Sequence, residues 1–127
     1  VEVFKHVKDF RFSMLDPVYQ TSENKSVYDW YVGQLINRYV LMPTGEVTRQ
    51  CRGNPSGQIS TTMDNNLVNT FLQAFEFAYI HPELSLDELD ILYSQCDSII
   101  YGDDRLSSWP AVPDDYVDKV VGMYEHI

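Results

Sequence analysis

Ser98-Ile99-Ile100-Tyr101-Gly102-Asp103-Asp104-Arg105-Leu106-Ser107 is the stretch on which the reading of this chain turns. Ile99, Ile100 and Tyr101 predict a buried strand, because β-branched and aromatic side chains fit a pleated surface. Gly102 falls at the first central position of a two-residue turn, the place that a type II′ hairpin reserves for glycine. Residues 105–107 form the candidate return strand. Such a turn holds Asp103 and Asp104 at one tip, where both carboxylates reach a hard cation. Magnesium takes oxygen ligands, commonly one or two carboxylates completed by substrate phosphates. Two such ions about 3.5–4 Å apart can activate a hydroxyl and stabilise a departing pyrophosphate. The same tetrad also fits a plain solvated turn, since Gly and Asp are turn residues.

Upstream, Gly53-Asn54-Pro55-Ser56-Gly57 runs into Thr61 and Asn65. The glycines and the proline break helix and strand alike, so 52–58 reads as a loop. A helix is predicted from about 60 to 80. Thr61 with Asp64 fits the capping pattern of a Ser or Thr followed three residues later by an acid. Gly57 lets backbone approach a ligand closely. The helix N-terminus nearby favours phosphate. Thr61 and Asn65 are four apart and share a helix face. An Asn amide donates and accepts, which suits a ribose hydroxyl. A capped helix start with incidental Ser, Thr and Asn is the plainer reading. A Walker phosphate loop is excluded, because no Gly-Lys-Ser/Thr follows.

Working outward, residues 2–15 predict a helix with Val3, Phe4, Val7, Phe10 and Met14 on its apolar side, broken at Asp16-Pro17. Ser22 or Asn24 caps a second helix to about Arg38, with Tyr28, Tyr31, Leu35 and Ile36 on one side. Strands at 39–42 and 46–50 flank Pro43-Thr44-Gly45. In the long helix Met63, Leu67, Phe71, Ala74, Phe75 and Ala78 form the stripe expected to face the core. His81-Pro82 ends it. Ser85 begins a short helix, and Pro113 opens a last one whose apolar side is Tyr116, Val117, Val120, Val121 and Tyr124. The expected fold class is α/β (α+β), one unit with a small antiparallel sheet and helices packed on it.

The 127 residues, 44% hydrophobic and 13% aromatic, suit one small domain, and the composition allows a core. Both ends look cut: there is no initiator Met, and the last residues lie inside an amphipathic pattern. No apolar stretch approaches the roughly 18 residues that span a bilayer. Cys51 and Cys96 lack metal-ligand spacing and read as reduced structural thiols, while His6, His81 and His126 are scattered. Trp30 and Trp109 read as packing residues. The formal net charge of −10 opposes the simplest nucleic-acid reading, which expects a basic surface.

The two motifs together are more specific than either. Arg52-Gly53-Asn54-Pro55-Ser56-Gly57-Gln58, Thr61-Thr62-Met63-Asp64-Asn65-Asn66 and Tyr101-Gly102-Asp103-Asp104-Arg105-Leu106 resemble motifs B and C of positive-strand RNA virus polymerases. Tyr28-Asp29-Trp30-Tyr31-Val32, Leu41-Met42-Pro43-Thr44-Gly45-Glu46-Val47-Thr48-Arg49 and Val112-Pro113-Asp114-Asp115-Tyr116-Val117 narrow the resemblance to the astrovirus RNA-dependent RNA polymerase, over essentially the whole chain.

The resemblance implies a fragment of a right-hand polymerase palm, 1–127, that serves template-directed RNA synthesis. Asp103 becomes a ligand of catalytic Mg2+, with Mn2+ the alternative ion, and Asp104 supports the same metal. Ser56 and Gly57 adjust as the nucleotide arrives. Thr61 and Asn65 recognise the ribose 2′-hydroxyl. The implied partners are an RNA template and product strand, nucleoside triphosphates and other viral replication proteins, in a replication complex of the host cytoplasm. The family also needs a metal-binding aspartate from motif A, and neither Asp9 nor Asp16 stands in the required pattern. The fragment alone is therefore expected to be inactive.

Arg105 either screens the two carboxylates, contacts the primer backbone, or is an ordinary surface Arg. A reverse transcriptase also carries a turn with two aspartates, but it would exclude a 2′-hydroxyl, which Asn65 is suited to bind. A non-catalytic acidic module binding calcium or a basic partner agrees with the charge but not with the paired motifs.

Overall fold

The structure, a computed structural model, describes residues 1–126. Two compact units divide it, Val1–Asp64 and Asn65–Ile127. The expected mix of helices and antiparallel strands is present. The strands form two separate two-stranded sheets instead of one.

In the first unit, α1 (Glu2–Ser13) ends before a single 3₁₀ turn, Pro17–Tyr19. Pro17 cannot continue the helix, and the Asp16 carboxylate caps the turn by accepting from the Val18 amide at 3.0 Å. Helix α2 (Ser22–Ile36) follows. Its cap is Thr21, not Ser22 or Asn24: the Thr21 hydroxyl accepts from the Asn24 amide at 3.2 Å. Helix α1 lies against α2 through Phe12 and Tyr28, whose ring centroids are 5.3 Å apart, and the Tyr28 hydroxyl donates to the Lys8 carbonyl at 3.1 Å. Strands β1 (Arg38–Leu41) and β2 (Val47–Gln50) pair antiparallel, with Leu41 opposite Val47. Gly45, at φ +86°, turns the chain between them.

Helix α3 (Thr61–Ile80) starts in the first unit and continues into the second. It is followed by α4 (Leu86–Tyr93), β3 (Asp97–Tyr101), β4 (Asp104–Ser108) and α5 (Tyr116–His126). Helix α4 carries a full capping box, in which the Ser85 hydroxyl and the Glu88 carboxylate serve each other's backbone amides. Helix α5 begins three residues beyond Pro113, whose carbonyl accepts from the Tyr116 amide at 3.0 Å. Phe77, Ile80 and Met123 are the buried apolar centre of this unit. Phe77 meets Tyr93 and Trp109 with centroids at 5.2 and 5.3 Å, and Trp109 stands edge-on to Tyr116.

Several expected faces are corrected. On α1, Val7, Lys8 and Phe12 are buried, while Phe10 and, just past the end of the helix, Met14 are exposed. On α3, Met63 and Phe71 are at least half exposed, and the buried side is Asn69, Gln73, Glu76, Phe77 and Ile80. On α5, Val117 and Val121 are exposed and Met123 is buried. Trp30 is exposed. Ile99 and Tyr101 of the expected buried strand are about three-quarters exposed, at 74% and 73%. A two-stranded hairpin offers one face to its helix, and alternation puts Ile99, Tyr101, Leu106 and Asp104 on the other.

Candidate functional site

The acidic turn is built as its residues dictate. Tyr101 pairs with Asp104, leaving Gly102 and Asp103 as the two turn residues. Gly102 has φ +66°, and no non-glycine residue described has positive φ, which matches a type II′ turn. Gly102 is buried, whereas the side chains of Asp103 and Asp104 are exposed. Among the described residues neither carboxylate forms an ion pair.

Helix α3 supports this turn with two residues that the sequence did not single out. The Gly102 amide donates to Asn66 Oδ1 at 2.5 Å. Asn69 Nδ2 points at the carbonyls of Asp103, Gly102 and Asp104, at 3.1, 3.3 and 3.5 Å. Only the spacing of Asn65, Asn66 and Asn69 on one helix hinted at this, and helical position alone does not name a partner 33 or more residues away.

Arg105 is resolved as a buried-side residue. Alternation turns it away from Asp104 toward α3, where its guanidinium pairs with Glu76 and donates to Asn69 Oδ1 at 3.4 Å. Glu76, 2% exposed, also accepts from the Tyr124 hydroxyl at 2.6 Å and the Tyr116 hydroxyl at 3.3 Å. Burial and then the Glu76 carboxylate push the Tyr124 phenol up to about 12. Burial opposes the charge on Arg105, but Glu76 outweighs it and raises the guanidinium above its usual value.

Asn65, Val68, Asn69, Asp103, Asp104 and Arg105 are among the residues that line one open cavity of about 540 Å³. Three of the six residues singled out from the sequence, Asn65, Asp103 and Asp104, are thereby brought to one concavity. The other three, Ser56, Gly57 and Thr61, belong to the first unit.

In that first unit the glycine-rich loop is held from several sides. Gly53 and Gly57 have φ of +73° and +82°, in the region that favours glycine. Arg38 donates to the carbonyls of Gly53 and Arg52 at 3.0 and 3.3 Å. The Thr61 hydroxyl is directed at the carbonyls of Pro55 and Gln58, at 2.6 and 3.0 Å, so it ties the loop to the helix and does not cap it. Ser60 occupies the cap position instead, where its carbonyl accepts from the Asp64 amide at 2.9 Å. Ser56 and Gly57 are exposed.

Asp64, expected only as a capping acid, is the buried centre of this unit. Its carboxylate is fully enclosed and accepts from Lys8 at 2.6 Å, Arg11 at 2.5 Å, Gln58 at 2.9 Å and Ser60 at 2.9 Å. Burial pushes its pKa up, and the bonds from Lys8, Arg11, Ser60 and Gln58 more than reverse that, leaving it below the ordinary carboxylate value. Lys8 Nζ also stands 5.2 Å from the Phe4 ring centroid and 5.4 Å from that of Tyr31. Cys51 and Cys96 are free thiols. No helix among the described residues is long and apolar enough to cross a membrane.

The family model for viral RNA-dependent RNA polymerase matches residues 3–127, and the chain belongs to that family. Within it, the chain is 62% identical over 126 residues to the Non-structural polyprotein 1AB of Ovine astrovirus 1. The identity is 52% with the same-named protein of Human astrovirus-1 and 39% with that of Turkey astrovirus 2. These matches cover 98–99% of this chain but only 8–9% of each relative, so the chain spans about a tenth of the polyproteins it resembles. The resemblance read from the motifs is thus borne out. No solved structure matches the chain at a significant level.

Proposed function

We propose that this chain is the part of an RNA-directed RNA polymerase that carries Asp103 and Asp104 as metal ligands and Ser56, Gly57, Thr61 and Asn65 as nucleotide-binding residues. One observation supports it above the rest: Asn65 and both aspartates line the same cavity. The donor set suits Mg2+, and also Mn2+. It consists of two adjacent, exposed carboxylates, oxygen donors without an ion-pair partner among the described residues. No group of three His, Cys, Asp or Glu gathers among the described residues, so the remaining ligands come from phosphates, water and other residues of the complete polymerase. Bound there, such ions would supply Lewis-acid activation of a 3′-hydroxyl and charge neutralisation for a leaving pyrophosphate.

The chain's own part is positioning. Asp103 and Asp104 hold negative charge at a fixed tip. The Thr61 hydroxyl spends its proton on a loop carbonyl, at 2.6 Å from Pro55, so its lone pairs are left to accept from a ribose hydroxyl. Asn65 supplies an amide at the rim of the cavity that holds the aspartates. Arg105, committed to Glu76, is not available to the RNA backbone. With a net charge of −10, attraction for template and product strand falls to basic residues elsewhere in the complete polymerase. RNA, nucleoside triphosphates and other viral replication proteins are the proposed partners, in a replication complex of the host cytoplasm. The segment by itself is inactive in this reading.

The test is Asp103→Ala in the complete polymerase, assayed by nucleotide incorporation on a primed RNA template. Loss of a charge-stabilising ligand is expected to cost on the order of 10²- to 10³-fold in rate. Near-normal synthesis removes Asp103 from the mechanism and with it this reading.

A further inference from the structure

We propose that Asn66 and Asn69 are positioning residues for the metal-binding turn, one by accepting and the other by donating, and that together they set the affinity of Asp103 and Asp104 for a divalent cation. The proposal rests on the reading of those aspartates as metal ligands.

A two-residue hairpin turn leaves its own peptide groups outside the strand ladder. Here the ladder closes at Tyr101 and Asp104, so the Gly102 amide and the carbonyls of Gly102 and Asp103 have no strand partner. A lone two-stranded hairpin is marginal in water, and a tip solvated on all sides would sway. Instead Gly102 is buried, and each of these groups meets a side chain of α3. The Gly102 amide goes to Asn66 Oδ1, and the carbonyls face Asn69 Nδ2. Asn66 and Asn69 are three apart and share a helix face.

Asn69 is itself held. It is 9% exposed, and Arg105 donates to its Oδ1, which fixes the amide with its nitrogen toward the turn. Arg105 is in turn anchored on Glu76, and Glu76 on Tyr124 and Tyr116. The chain of bonds runs from α5 through α3 to the backbone that carries the carboxylates. Neither amide side chain bonds a carboxylate, so both act through the backbone. Groups that orient metal ligands in this way commonly change affinity or activity by roughly 10- to 100-fold when lost.

The experiment compares Asn66→Asp with Asn69→Asp in the complete polymerase. Both changes are nearly isosteric, and both add one negative charge beside the same turn. Asp at 66 keeps an acceptor for the Gly102 amide. Asp at 69 removes the donors and sets a carboxylate oxygen against three carbonyls. Mn2+ binding is titrated by electron paramagnetic resonance without nucleotide, and the Mg2+ dependence of RNA synthesis is measured alongside. Asn69→Asp is expected to weaken Mn2+ binding and raise half-saturating Mg2+ by roughly 10- to 100-fold. Asn66→Asp should stay within about threefold, since its hydrogen bond persists. Equal effects from the two variants overturn the proposal, because charge alone would then explain them.

If Asn69→Asp does not fold, Asn69→Ser decides. It keeps one hydroxyl donor, adds no charge, and should shift Mn2+ binding severalfold, whereas unchanged binding overturns the proposal. Asp103→Ala serves as the separate control. A polymerase still active with that change defeats the assignment of the metal ligands, whatever Asn69 does.

Discussion

Asp64 in the first unit and the Asp103 and Asp104 pair in the second receive opposite treatment. Asp64 is wholly enclosed, and its oxygens are taken by Lys8, Arg11, Ser60 and Gln58. Asp103 and Asp104 lie exposed on a turn whose backbone, not whose carboxylates, is held by protein. The contrast separates two uses of one functional group. An enclosed carboxylate must have its charge and lone pairs satisfied by protein, or burial costs more than it returns. In the proposed reading, a carboxylate that takes a cation keeps its lone pairs available, so the rigidity comes through its main chain.

The contrast is broken most severely at Lys8. Lys8→Met fills similar volume but leaves Asp64 enclosed with one cation fewer, and such a loss typically costs about 3–5 kcal/mol. Thermal unfolding of the complete polymerase should show a sharply lowered midpoint for the segment, whereas Asp103→Ala should leave the midpoint unchanged while slowing synthesis by about 10²- to 10³-fold. A stable Lys8→Met protein would mean that Arg11, with Ser60 and Gln58, satisfies Asp64 without Lys8. The pH dependence follows from the depressed Asp64 value. Its contribution is fully present above the unfolded value of about 3.9 and is lost as pH falls through the lower folded value. Neutralising Asp64 as Asp64→Asn should flatten that acid limb.

The next effect sharpens the other side. Gly102 has φ +66°, and an added Cβ there would meet nothing within 4 Å, so conformation and not space decides the cost. Gly102→Ala should destabilise by about 1–2 kcal/mol. Because the strain sits beside Asp103, the concentration of Mg2+ needed for synthesis should rise with it. A destabilised variant with unaltered metal dependence would show that the tip tolerates rotation.

The sequence made the elements legible and left their faces hidden. The break at Asp16-Pro17, the stop at His81-Pro82 and the turn at Gly102 act on the local backbone, and each falls where expected. Which side of α3 is buried depends on partners far away in sequence. The stripe with Met63, Phe71 and Phe75 has the right period, yet those residues are exposed. Asn69 and Glu76 are buried instead, because the unpaired groups of the turn and the guanidinium of Arg105 need them. Of the candidate site, Asp103, Asp104 and Asn65 were legible as motif residues, and they line one cavity. Asn66 and Asn69 were not, since an Asn on a helix is neutral until something docks on it. Asp64 carried a local capping signal, but its cations stand 53 and 56 residues earlier on another helix.

The smallest expected effect lies where the two treatments meet, at Glu76. This buried carboxylate is satisfied like Asp64, but by one cation and two phenols, and it steadies Arg105 beneath the turn. Tyr124 is 44% exposed, so its bond to Glu76 is partly screened, and Tyr124→Phe should cost about 1 kcal/mol. The sign of its pH dependence is opposite to that of Asp64. Its folded value of about 12 exceeds the unfolded value of about 10, so its contribution holds below the latter and disappears as pH climbs through the former. Phenolate absorbance should contain a component titrating near 12 that Tyr124→Phe removes. If that component survives the substitution, Tyr124 does not bear the bond to Glu76, and the support of the turn from α5 would rest on Tyr116 alone.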